Sequence, residues 1–78
     1  MSNETIDKFL LKLQEKTGNN QVYFDKYQIG EEIGLLAKIQ TDHIVEILAK
    51  DGFLRNGVDN YKVKLTEDGN KRLTNNQL

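Results

Sequence analysis

Apolar residues recur at three- and four-residue steps near the start of the chain, at Ile6, Phe9, Leu10 and Leu13, with charged positions between them. That period gathers them on one face of a helix, and it predicts an amphipathic helix from about Asn3 to Lys16. Ser2 or Asn3 can cap it. Glu4 and Asp7 suit its positive end, and Lys12 and Lys16 its negative end. Leu11 lies off the main stripe as an edge contact. Thr17-Gly18-Asn19-Asn20 then stops the helix with a glycine and two turn-forming amides. Gln21-Val22-Tyr23-Phe24 is a short run of strand formers, long enough to add one edge strand to a small sheet.

Asp25 is placed to cap a second helix from Lys26 to Ile33, with Tyr27, Ile29 and Ile33 as its apolar positions and Gly34 ending it in a left-handed conformation. Gly30 inside that helix costs ~1 kcal/mol relative to alanine. A penalty of that size predicts close approach by another helix. A third helix begins between Ala37 and Thr41 and ends at Asp51-Gly52. Helical projection puts Ala37, Thr41, Ile44, Ile47 and Leu48 on a core side and Lys38, Asp42, His43, Glu46 and Lys50 on an outward side.

Beyond Gly52 the period changes. Phe53-Leu54-Arg55 and Tyr61-Lys62-Val63-Lys64-Leu65 read as two short strands, joined by Asn56-Gly57-Val58-Asp59-Asn60 as a hairpin turn in which Gly57 can take a positive φ. Tyr61, Val63 and Leu65 form a packing face, and Lys62 and Lys64 present two ammonium groups opposite it. Thr66 can cap a last helix with Glu67 and Asp68 in its first turn, Leu73 packed inward, and Lys71 and Arg72 toward its end. The tail from Thr74 to Leu78 is polar and is expected to fray. Of Tyr23, Phe24 and Tyr27, all but one are expected in the core.

The order of these pieces resembles a winged helix-turn-helix domain, and the MarR and PadR groups of transcriptional regulators are the nearest comparisons. The resemblance is carried by Lys50-Asp51-Gly52-Phe53-Leu54 at a helix-to-wing junction and by Leu65-Thr66-Glu67-Asp68-Gly69 followed by Leu73 at the start of a last helix, and it spans about Asp25 to Leu73. It implies an α+β, mostly helical fold: helix, short strand, helix, helix, two-stranded wing, C-terminal helix. It also implies binding to double-stranded DNA in transcriptional regulation. The third helix would enter the major groove with Lys38, Gln40, Thr41, Asp42, His43 and Glu46, and the wing would place Arg55, Lys62 and Lys64 on the backbone. Thr41 sits where that family usually buries an aliphatic residue, and Asp42 and Glu46 put carboxylates on a surface meant for phosphate.

Composition narrows the picture further. Seventy-eight residues, 37% hydrophobic and 29% charged, suit one small globular domain over residues 1–78. Net charge is only -1 and the pI about 5.7, so no global field draws nucleic acid. The charge is unevenly spread. Met1 to Gly52 carries six Lys and nine Asp or Glu, a balance of -3, whereas Phe53 to Leu78 carries five Lys or Arg and three acids, a balance of +2. Arg55, Lys62 and Lys64 therefore have two readings, as phosphate contacts or as charges that protect an edge strand from pairing.

With no cysteine, disulfides, thiolate zinc sites and a cysteine nucleophile are excluded. His43 is the sole histidine, and one residue makes no metal cluster, so no metal or cofactor is expected. Glu31-Glu32 are adjacent and diverge around their helix, leaving no carboxylate pair for acid–base work; the chain is not expected to be an enzyme. No apolar run is long enough to cross a membrane and the start lacks signal-peptide character, which points to the cytoplasm. A homodimer through the first or last helix would suit a two-fold operator. The main alternative to DNA is a protein partner, favoured by the acidic face of the third helix. A small-molecule effector held between the first helix and the aromatic strand is a third possibility.

Overall fold

The computed structural model describes residues 3–18 and 20–76. A cap from Ser2, the part of Asn19 in the first turn and the fraying of Gln77 and Leu78 lie outside the described residues. Four helices surround one face of a three-stranded antiparallel sheet, in the order α1 (Asn3–Thr17), β1 (Phe24–Asp25), α2 (Lys26–Glu32), α3 (Lys38–Lys50), β2 (Leu54–Asn56), β3 (Lys62–Leu65) and α4 (Glu67–Asn76). No described helix is long and apolar enough to cross a membrane.

α1 turns Phe9, Leu10 and Leu13 fully inward, and Thr17 closes it by donating from Oγ1 to the Leu13 carbonyl at 2.8 Å. Gly18 follows at φ 65. The short strand sits later than the run of strand formers suggests. Only Phe24 and Asp25 pair, opposite Val63 and Lys62, while Val22 and Tyr23 stay exposed. Asp25 both ends β1 and caps α2, its Oδ1 accepting from the Tyr27 N–H at 2.9 Å, so the strand has no room to continue. Gly34 at φ 92 and Gly52 at φ 84 carry the chain out of α2 and α3.

The core joins Phe9, Leu10 and Leu13 to Ile29 of α2, Ile44, Val45 and Leu48 of α3, Leu54, Val63 and Leu65 of the sheet, and Leu73 of α4. Each fully buried Leu or Ile contributes ~1.5–3 kcal/mol relative to exposure. The core face of α3 differs in part from the projection. Ala37 is exposed because, as N-cap at φ -105 and ψ 137, it stands outside the helical repeat, and Val45 takes an inward position while Ile47 is half-buried. At the α2–α3 crossing, a Cβ on Gly30 would overlap Thr41 Oγ1 and lie 3.2 Å from Thr41 Cβ, so glycine is what lets the two helices meet.

β3 is the central strand, with β1 on one side and β2 on the other. Leu54 faces Leu65 on the inner side, and Arg55 faces Lys64 on the outer side. Tyr61 falls in the turn rather than on the packing face and is 43% exposed. Thr66 locks the base of this hairpin: its hydroxyl donates to the Gly52 carbonyl at 2.6 Å and accepts from the Gly69 N–H at 3.1 Å, capping α4. Gly69 lacks a side chain where the Phe53 carbonyl passes against α4.

Candidate nucleic-acid interface

Four side chains of α3, Ile39, His43, Glu46 and Lys50, are exposed and share one stripe at ~100° per residue, directly opposite the buried Thr41, Ile44, Val45 and Leu48. Lys38 and Gln40 are exposed beside that stripe. Thr41, expected at the DNA-reading surface, is only 2% exposed and fills the gap over Gly30, so it is a packing residue with no access to a groove. Gln40 turns its Oε1 back to accept from the Ala37 N–H at 3.2 Å, which occupies the acceptor half of its amide at the start of the helix.

Asp42 is on the flank rather than the crest, and its carboxylate is already engaged. Lys26 Nζ approaches Oδ1 at 3.0 Å, and the Tyr27 hydroxyl donates to the same oxygen at 2.8 Å. The ammonium of Lys26 holds the Asp42 carboxyl below its ordinary range, and donation to that carboxylate pushes the Tyr27 phenol up. The Tyr27 ring lies within cation–π range of Lys26 at 5.1 Å and Lys38 at 5.0 Å. The repulsion that Asp42 threatened toward phosphate is thereby largely cancelled by a buried lysine. Glu46 has no such partner among the described residues.

The hairpin gathers Arg55, Lys62 and Lys64 on the outer face of the sheet. Because β3 is central, its lysines are not protecting an edge, and that reading of them is set aside. Arg55 and Lys64 stand directly opposite each other across β2 and β3, a like-charge pairing that costs a sheet a few tenths of a kcal/mol or more. Two tyrosines support the lysines: Lys64 Nζ lies 5.1 Å from the Tyr23 ring and Lys62 Nζ 5.6 Å from the Tyr61 ring. Gly57 is absent from the positive-φ glycines; it is small because a Cβ there would come within 3.0 Å of Tyr23 Cδ1.

The cations divide into two groups by the element that carries them. Lys8, Lys12 and Lys16 of α1, Lys26 of α2, and Lys71 and Arg72 of α4 each have a carboxylate within 4.0 Å. Lys38 and Lys50 of α3, and Arg55, Lys62 and Lys64 of the hairpin, have none among the described residues. No family model, curated protein or solved structure matches this chain.

Exposed large apolar side chains follow the same division. Leu36 and Ile39 lie at the start of α3, and Val22, Tyr23, Val58 and Tyr61 on the hairpin and the segment leading to β1. Ile39 is not among the residues that the sequence pattern singled out, although its spacing to His43 and Glu46 places it on the outward stripe. Among the described residues no group of His, Asp and Glu could hold a metal. A hollow of about 330 Å³ does open on α1, but toward Glu32 at the end of α2 and the following Ile33 rather than the aromatic segment. Its Lys12 and Glu15 are paired with each other at 2.9 Å, and its Glu32 with Lys16 at 2.7 Å, so it offers an effector few uncommitted charges.

Proposed function

We propose that the chain is a winged helix-turn-helix domain that binds double-stranded DNA as a transcriptional regulator, with α3 toward the major groove and the β2–β3 hairpin as its wing. The observation that carries this reading is the segregation of cations: every Lys and Arg on α1, α2 and α4 is in an ion pair, and every one on α3 and the hairpin lacks one among the described residues. Cations without an ion-pair partner, gathered on α3 and the hairpin, are what a polyanion selects, since each phosphate contact releases condensed counterions. Lys38, Gln40, His43, Glu46 and Lys50 are the outward polar groups of the reading helix, and Arg55, Lys62 and Lys64 those of the wing. The MarR- and PadR-like element order supports the same orientation. A cytoplasmic setting belongs to this proposal, and it assigns the chain no catalytic role and no cofactor.

A homodimer remains part of the proposal on grounds of operator symmetry. The apolar positions of α1 are turned into its own core, and its outward Glu4, Lys8, Glu15 and Lys16 are charged, so a pairing through that helix would be polar.

Fluorescence anisotropy on a short mixed-sequence duplex at about 50 and about 200 mM salt tests the reading. Lys62→Ala/Lys64→Ala should weaken binding and flatten the plot of log affinity against log salt by about 1.8, at ~0.9 for each phosphate no longer neutralised. Lys8→Ala/Lys71→Ala, which removes two ion-paired cations from α1 and α4, should leave the slope unchanged. A chain that ignores duplex at low salt is no DNA-binding protein. In that case the exposed Leu36, Ile39 and Val58 with Glu46 favour the second reading, a protein-interaction module.

A further inference from the structure

The proposed DNA-binding surface has an unusual apolar component. Leu36 is 96% and Ile39 75% exposed, at the entry to a helix whose other outward residues are His43, Glu46 and Lys50. Scattered exposed aliphatics are ordinary on any protein. Here the distribution is what matters: among the described residues, α1, α2 and α4 expose no large apolar side chain at all. Of those on the hairpin side, Tyr23 and Tyr61 lie under Lys64 and Lys62. Val22, Val58, Leu36 and Ile39 have no such task, and of these only Ile39 lies on α3, with Leu36 two residues before its start.

We infer that Ile39, assisted by Leu36, is a specificity-determining residue that reads the C5 methyl groups of thymine. The inference rests on the DNA-binding reading. A recognition helix meets base edges with its first turns, where Ile39 stands. In the major groove only thymine presents an apolar group, so an aliphatic side chain there has one base to prefer. Isoleucine is branched at Cβ and stiff about χ1, which holds its methyl groups in place without a supporting shell. Charge complementarity selects DNA over an apolar protein surface as the occupant: Lys38, which precedes Ile39 directly, and Lys50, on the same outward stripe, are exposed and have no carboxylate within 4.0 Å among the described residues.

The test compares an alternating dA–dT duplex with the same duplex carrying deoxyuridine for thymidine, which deletes the methyl and keeps every hydrogen-bonding group. Wild type should bind the methylated duplex about fourfold more tightly for each methyl buried, the factor equivalent to ~0.8 kcal/mol. Ile39→Ala should lose most of that preference while melting at the wild-type temperature, and Lys62→Ala should weaken both duplexes equally. A preference that persists in Ile39→Ala would come from duplex shape and would overturn the inference. Equal wild-type binding to both duplexes, with salt and wing-lysine dependence intact, would remove the inference and leave the DNA reading standing. Binding to neither duplex would remove both. If Ile39→Ala changes only self-association in sedimentation, the surface is a protein contact and the inference falls.

Discussion

Replacing Gly30 with alanine sets two effects of known size against each other. Alanine in a helix interior is favoured over glycine by ~1 kcal/mol, so on propensity alone the variant should be more stable. The packing opposes it. A Cβ at position 30 would overlap Thr41 Oγ1 and sit 3.2 and 3.4 Å from Thr41 Cβ and Cγ2, and Thr41 is 2% exposed with nowhere to swing. One rotation of Thr41 puts its methyl where its hydroxyl was, and the other puts the Cβ hydrogen there only by pushing the hydroxyl and methyl into a crossing where Thr41 is 2% exposed, so the overlap is relieved chiefly by moving α2 away from α3. Overpacking of this kind costs ~1–3 kcal/mol, and a clash with a β-branched side chain belongs near the upper end. The net expectation is a loss of ~1–2 kcal/mol, or a fall in Tm of roughly 4–16 °C at ~4–8 °C per kcal/mol for a domain of this size. Urea and thermal melts of Gly30→Ala, Thr41→Ala and the double variant measure it. The double variant should be less destabilised than the sum of the singles by ~1 kcal/mol or more, because each substitution removes part of the reason the other is harmful. A neutral or stabilised Gly30→Ala would refute the reasoning, since the propensity gain would then be unopposed.

Leu48→Ala, at a position 1% exposed, should cost ~2–5 kcal/mol and leave the chain largely unfolded by circular dichroism, whereas Ile39→Ala should stay within ~0.5 kcal/mol of wild type. Arg55→Ala removes one member of the like-charged pair with Lys64, so it should raise stability in urea by a few tenths of a kcal/mol while weakening duplex binding in the same preparation. Gly57→Ala should cost less than ~1 kcal/mol in a urea melt, because the exposed Tyr23 ring can swing aside, and adding Tyr23→Ala should erase the cost. Asp42 is held below its ordinary pKa of 3.8 in the fold, so its stabilising contribution is complete above that value and is lost as pH falls through the folded value. The stability gap between wild type and Asp42→Asn, under ~1 kcal/mol for a half-exposed pair, should therefore close as melts are taken below about pH 3.8.

Local signals were legible where the chain meets only itself. Asp25 and Thr66 cap the helices that follow them, and Gly34 and Gly52 end those before them, because capping geometry depends on a few neighbouring residues. Gly30 announced the α2–α3 contact through its own propensity cost. Tertiary placement defeated the rest. A strand of two residues has too little periodicity to locate, which is why β1 lies at Phe24–Asp25 rather than along the whole run of strand formers. Ala37 and Tyr61 escape the pattern because each lies one residue outside a regular element, where a projection no longer applies. In the candidate site, the outer-face cations of the hairpin and most of the outward face of α3 could be read from spacing. The pairing of Asp42 with Lys26, the burial of Thr41 and the Tyr23 ring against Gly57 could not, since they join segments whose distance apart in space only the fold decides.

The fastening around Thr66 has a consequence for how this molecule can change. Its hydroxyl and amide grip the chain at Gly52 and Phe53, at 2.6 and 3.2 Å, so the strands of the hairpin leave and re-enter the body at one clamped point. Beyond the clamp, Val58, Asp59 and Asn60 are exposed, and doubling the length of such a loop costs only ~0.6 kcal/mol of closure entropy. The tip is thus an exchangeable cassette. New lengths and new residues can be tried there so long as the Tyr61 carbonyl keeps the Lys26 N–H at 2.8 Å, so the surface offered to a partner can drift under selection at a pace the core does not set.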